Sequence, residues 1–201
     1  MEKDIRQQLR DALASVSQHH AQRAGDPATK IEIYAASFLK HYRIYRFSHF
    51  GGHKIELFYA GFAPGLRAHL LTAYPENYVV MAHDDGVVIE TPETAIDYVT
   101  VFIEATRSMS SLSYLAHSID EVEFRPNLTV EREEIKTAFI EQYRSVIAGP
   151  TANPVANGFA VVAYIVREQA LELHRFNVSR DGEIHDELKV LEQNVPLVYG
   201  G

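Results

Sequence analysis

Apolar and polar residues alternate along this chain with two different periods, and the switches between them outline its elements. Over residues 3–20, Ile5, Leu9, Leu13 and Val16 recur at helical spacing, which predicts one amphipathic helix. It ends in His19 and His20, where cationic side chains suit the negative end of the helix dipole. Asp26-Pro27 then reads as an N-cap followed by proline at the first helical position. Ile31, Tyr34, Ala35, Phe38 and Leu39 extend that second helix along one face.

Three later segments carry β-rich runs on either side of a three-residue loop ending in glycine. The loops are Phe50-Gly51-Gly52, Asp84-Asp85-Gly86 and Arg180-Asp181-Gly182. A type I turn followed by a left-handed residue is a common hairpin loop, and glycine takes the positive φ. Each loop implies a register. In the first hairpin His49 falls opposite His53, Phe47 opposite Ile55, Tyr45 opposite Leu57 and Arg46 opposite Glu56. In the second, Met81 falls opposite Ile89. In the third, Val178 faces Ile184, Phe176 faces Asp186 and Arg175 faces Glu187. Leu171 and Leu173 have the opposite parity to Phe176 and Val178, and a β-bulge at His174 would restore a single apolar face. Leu173 would then meet Leu188, Leu171 would meet Val190, and Glu172 would pair with Lys189.

The run Phe159 to Val166 is apolar on both faces, so it reads as a strand needing cover on both sides, by helices, a second sheet or another subunit. It turns at Glu168-Gln169 into the third hairpin. Thr91-Pro92-Glu93 opens a helix carrying Ile96, Val99, Phe102 and Ile103. Thr129 caps another, with Ile135, Ala138, Phe139, Gln142 and Val146 along its stripe. Leu112 to Ala116 is a short strand between them. The glycine- and proline-containing stretch 148–158 is a loop and a candidate subdomain joint. The fold class expected is therefore α+β: one domain over residues 1–201, with a twisted, mostly antiparallel sheet of glycine-closed hairpins. It ends in a three-stranded meander, with helices packed on the sheet.

Composition narrows the functions open to such a fold. With 46% hydrophobic residues among 201, the chain can bury a core without staples. It has no cysteine, which rules out disulfides and thiolate metal sites and suits a reducing compartment. MEKDIRQQLR has no secretory apolar stretch, and no run approaches the roughly 20 residues of a membrane span. A cytoplasmic chain without a membrane segment is expected. A net charge of −8 and a pI near 5.7 disfavour nucleic acid as a partner.

Three groups of residues offer chemistry. His174, Asp186 and Tyr164 would form an acid–base site if the bulge turned them to one face, with Asp186 orienting the imidazole. Such a site would suit a lyase, isomerase or hydrolase of small molecules. His49 and His53, opposed across the first hairpin, would offer two imidazoles to one metal ion, with no third ligand nominated. The run HYRIYRFSHFGGHK (41–54) alternates cations and aromatics as single-strand binders do. Arg46 is already matched there by Glu56, and the aromatics are claimed by the sheet. His83-Asp84-Asp85-Gly86 lacks the alternating carboxylates of a calcium loop and reads as turn chemistry. No phosphate loop and no G-x-S-x-G elbow is present. No cofactor is nominated. The leading expectation is a non-catalytic domain that binds a protein or small molecule, with a homodimer as one form of partner.

Overall fold

The computed structural model describes residues 4–51 and 54–198. Its elements form two units, Met1–Val88 with Ala105–Met109, and Ile89–Glu104 with Ser110–Gly201. Among the described residues the class is α+β, with five α-helices and two antiparallel sheets of four and five strands. No helix among the described residues is long and apolar enough to cross a membrane.

In the first unit the expected helix 3–20 divides into α1 (Ile5–Leu13) and α2 (Gln18–Gly25). Ser17 is the reason: its hydroxyl accepts from His20 N and starts a new helix. Arg6 ties the two helices together, donating to the carbonyls of Ala24, Asp26 and Thr29 at 2.7–3.0 Å. The second helix expected from Asp26-Pro27 is instead a strand, β1 (Thr29–Tyr34). Asp26 and Pro27 form a turn, in which Thr29 N donates to Asp26 O and Ala28 N to the Asp26 carboxylate. Beyond it Thr29, Ile31 and Ile33 alternate with Lys30 and Glu32. That period of two, in β-branched residues, outweighs the looser helical spacing.

The sheet continues through β2 (Arg43–Gly51), β3 (Lys54–Phe62) and the short β4 (His69–Leu70), in the order β1-β2-β3-β4. The first hairpin exists, but its register is not the expected one. Gly51 pairs with Lys54, His49 with Glu56, Phe47 with Phe58 and Tyr45 with Ala60. An odd shift of this kind exchanges the two faces of a strand. It turns Phe58, Ala60 and Phe62 inward against Leu9, Leu13 and Ala21, and leaves Ile55 66% exposed. Phe47 stacks on Phe58 with centroids 4.4 Å apart, and this buried pair is what the expected alignment would have lost.

The second expected hairpin is a helix, α3 (Pro75–Asp85), with Gly86 as its left-handed C-cap at φ 65°. Tyr78, Met81, Ala82 and Asp85 are buried at helical spacing. Proline at the start and glycine just past the end mark a helix as firmly as Asp-Asp-Gly marks a turn.

In the second unit α4 (Pro92–Thr106), which belongs to it as far as Glu104, begins where Thr91 Oγ1 accepts from Thr94 N. Helix α5 (Val130–Tyr143) is capped by Thr129, as expected. The sheet comprises β5 (Ser113–Ala116), β6 (Thr151–Val155), β7 (Gly158–Arg167), β8 (Ala170–Ser179) and β9 (Ile184–Glu192). Its order is β5-β7-β8-β9, with β6 also pairing β7. The stretch expected as a loop therefore contains a strand, and Val155 to Gly158 closes its hairpin.

Val178, Phe176 and Arg175 meet Ile184, Asp186 and Glu187 as the loop register predicts. The bulge does not fall at His174. Pairing runs on through His174 with Leu188 and Glu172 with Val190, and shifts only between Leu171 and Glu172. Leu171 meets Glu192, so the extra residue is Leu191 on β9. No parity change is needed at His174 because both faces of β8 are covered. Leu171 and Val166 pack with Phe139 and Tyr143 of α5, whereas Phe176, on the other face, meets Phe102 of α4 at 6.1 Å. For the same reason Val161, Ile165 and Val166 of β7 are buried within one chain, and no second copy is required to cover them.

Gly158 packs where no side chain fits, since a Cβ there would lie 2.0 Å from the carbonyl oxygen of Val178, at φ 143°. Gly158→Ala is expected to cost at least about 2 kcal/mol in urea unfolding, because the obstacle is backbone that cannot swing aside.

Candidate functional site

Alternation along β8 aims Glu172, His174, Phe176 and Val178 at one face. His174 is 2% exposed, and its ring lies nearly parallel to Phe176 with centroids 5.4 Å apart. Its Nδ1 is 2.9 and 3.0 Å from the two carboxylate oxygens of Asp186, diagonally across on β9. Its Nε2 is 3.0 Å from Glu172 Oε2, which also takes the Arg167 guanidinium at 3.1 Å. A neutral imidazole has one N–H, so two carboxylates at its two nitrogens call for the doubly protonated ring. Burial alone would lower the His174 pKa, but the hydrogen bonds its ring donates to Asp186 and Glu172 outweigh it and raise it above the ordinary 6.5.

The structure thus joins His174 to Asp186 but does not bring Tyr164 to them. His174 pairs with Ala163, and Tyr164 pairs with Leu173 on the opposite face, where it packs against the α5 cluster. Glu172, expected on an outer face against Lys189, pairs with Val190 and is the third member of the group. Its parity with His174 was the available signal.

His49 belongs to a second network, in the first unit. It is 4% exposed on β2, with Nε2 3.0 Å from the Arg23 guanidinium and Nδ1 3.0 Å from Thr29 Oγ1. Arginine only donates, so Nε2 accepts and Nδ1 carries the proton. That proton goes to Thr29, whose hydroxyl donates to Arg23 O at 2.6 Å. Arg23 also holds Glu56 at 2.7 Å, and His19 Nε2 lies 2.5 Å from the other Glu56 oxygen. Burial pushes the Glu56 carboxyl up, but hydrogen bonds and charge from His19 and Arg23 hold it below its usual value.

His53, the other half of the expected metal pair, lies outside the described residues. His49 has Glu56 across the hairpin and offers its lone pair to Arg23. Among the described residues no three His, Asp or Glu side chains are grouped to hold a metal ion. The aromatic run is likewise committed, with Tyr45 and Phe47 buried and Arg46 opposite Glu32 rather than Glu56.

Asp85, expected from the sequence as turn chemistry, is instead a buried anchor at the end of α3. Its side chain is fully buried and accepts the backbone N–H groups of Lys40, His41 and Tyr42. Burial alone would raise its pKa, but these donors pull it below the usual carboxylate value. Asp85 thereby fixes the backbone that follows a shallow groove of about 320 Å³ lined by Ile33, Tyr34, Leu39 and Ile44. A second groove, about 300 Å³, lies between Val155, Asn157, Asn177 and His185 in the other unit. Neither is lined by His174, Asp186, Tyr164 or His49. Comparison with protein-family models, with curated proteins and with solved structures returns no match.

The His174 network generates a pH dependence of defined sign. A histidine whose folded pKa is raised contributes its stability fully below the unfolded value of 6.5, and loses it as pH rises through the folded pKa. The stability advantage of the wild type over His174→Gln in urea unfolding should therefore shrink as pH rises above 6.5, while the opposite contributions of His20 and His69, whose pKa values burial lowers, are common to both chains and cancel. That variant should be less stable at pH 6 by about 2–3 kcal/mol, below the full cost of a broken buried pair because Asp186 partly reaches solvent.

Proposed function

We propose that this chain is a non-catalytic binding domain whose histidine–carboxylate networks hold its sheets in shape. One observation carries the proposal: the buried histidines that resemble catalytic groups have both ring nitrogens engaged. His174 is clamped between Asp186 and Glu172, and His49 between Arg23 and Thr29. A general base needs a lone pair within reach of substrate, and a metal ligand needs one to donate. Neither ring has one to spare, and both are withdrawn from solvent.

The partners that fit are a protein surface, a second copy of this chain included, or a small molecule in one of the shallow grooves. The net charge of −8 disfavours nucleic acid. The lack of cysteine suits the cytoplasm, where we place the chain.

A generic acyl substrate separates this from a hydrolase built on His174 and Asp186. The full chain should hydrolyse p-nitrophenyl acetate at the same rate as its His174→Gln and Asp186→Asn variants at pH 7–8. A wild-type rate enhancement of about tenfold or more that both variants lose would overturn the binding proposal. Native mass spectrometry of the gently purified chain reads the other side, as retained ligand mass or doubled chain mass.

A further inference from the structure

We infer that the outer edge of β9 pairs with the same edge of a second copy, joining two five-stranded sheets into one. This inference deepens the binding proposal by naming one of its partners and placing it on the β9 edge; a monomer would sink it and leave binding of another protein or a small molecule standing.

The argument begins with which backbone groups of β9 face outward. Ser179 N donates to Glu183 O, so these two form a hydrogen-bonded pair of the β8–β9 ladder. Such pairs alternate with non-bonded ones. Glu183, His185, Glu187 and Lys189 therefore turn their N–H and C=O groups toward β8, and Ile184, Asp186, Leu188 and Val190 turn theirs outward. Among the described residues β9 is the last strand of its sheet, and its residues 185–190 are all exposed. Leu188 and Val190 are 53% and 40% exposed, which is unusual for large apolar residues side by side on one strand face.

Edge strands commonly protect themselves with charge, and His185, Asp186, Glu187 and Lys189 look like such protection. In one register they become complementary. An antiparallel pairing of two copies must match outward residues with outward residues, so only alternate registers are open. Centring on Asp186 sets carboxylate against carboxylate, and centring on Glu187 does the same. Centring on Lys189 sets ammonium against ammonium. Centring on Leu188 sets leucine against leucine and Asp186 against Val190, and it places each Glu187 opposite the other copy's Lys189. These last pairs are of the non-bonded type, whose side chains approach most closely.

The outer edge of β1 offers no equivalent. Phe50 N donates to Ala28 O, so the outward residues there are Thr29, Ile31 and Ile33. Thr29 is already used, its N–H by Asp26 O and its C=O by Arg6.

The cysteine-free sequence makes the register directly testable. In the Leu188-centred pairing the two Leu188 Cα atoms lie about 5.5 Å apart, inside the range a disulfide spans. The two Ile184 residues lie about 27 Å apart at roughly 3.4 Å per residue. Mild oxidation should therefore crosslink the full chain carrying Leu188→Cys and not the chain carrying Ile184→Cys; any other pattern overturns the register. Sedimentation of the unmodified chain at micromolar concentrations should show a dimer, and a monomer would overturn the inference outright. Lys189→Glu should weaken dimerisation by about tenfold. Mixing it with Glu187→Lys should restore dimers, because each variant then supplies the charge the other lacks. Failure of the mixture to recover, with both variants folded by circular dichroism, would equally count against the pairing.

Discussion

Strand parity along β8, covered on both sides, is the constraint on which the second unit depends. Odd residues of β8 look toward α5 and even residues look the other way, so each side chain from Leu171 to Val178 has one permitted face. His174 and Glu172 are polar residues on an inward-facing register, and leaving either unmatched inside would cost several kcal/mol. The arrangement meets that cost locally. Arg167, Glu172, His174 and Asp186 form a chain of alternating charge in which each buried group has a partner. The parity comes first, and the polar network follows from it.

The first unit reaches the same outcome with different chemistry. Arg23 gathers Glu56 and His49, Arg6 collects carbonyls from the end of α2 and from β1, and Asp85 takes three backbone N–H groups at the end of α3. A carboxylate at a helix C-terminus opposes the helix dipole, so Asp85 is tolerated because its donors come from residues 40–42, outside its own helix. These groups resemble active-site residues in type and burial. They differ in that their hydrogen-bonding capacity is spent within the protein, and perturbed titration alone does not separate the two cases.

Much of this was legible in the sequence where chemistry was local. Thr129 and Thr91 cap the helices they appeared to cap, the turn at Glu168-Gln169 stands, and Arg180-Asp181-Gly182 sets the register from Val178 to Glu187. The misreadings arose where two local signals competed. Asp26-Pro27 suits a helix start and a turn alike, and alternation from Thr29 onward decides for the strand. Asp84-Asp85-Gly86 suits a hairpin loop and a helix end alike, and Pro75 decides for the helix. At Phe50-Gly51-Gly52 the loop chemistry pointed one way, and stacking of Phe47 on Phe58, a tertiary fact, went the other. A bulge at His174 is needed only if one face of the sheet is wet, and the register shift falls instead between Leu171 and Glu172. With both faces of β8 covered, Leu171 and Phe176 are each inside without a bulge at His174. His174 and Asp186 do meet, through uninterrupted alternation rather than a bulge, and Glu172 and Arg167 complete the group that Tyr164 is expected to join.

The same alternation links the buried network to the open edge of β9. Asp186, Leu188 and Val190 share the face of His174, and their backbone groups are those left unpaired by β8. An edge strand is specified weakly when nothing pins its side chains, and a slip by one residue would exchange its faces. The clasp between His174 and Asp186, across two adjacent strands, pins β9 against β8 near its middle. Leu191, the inserted residue, ends regular pairing at the far end, where Tyr143 donates to its carbonyl oxygen. The stretch between the glycine turn and that insertion is thus held in one alignment without any partner on its outer side. That is the condition an edge must meet to present Glu187, Leu188 and Lys189 as a defined pattern rather than a sliding one. A charge pattern on a fixed strand discriminates among registers, whereas the same residues on a loose strand would only keep other strands away.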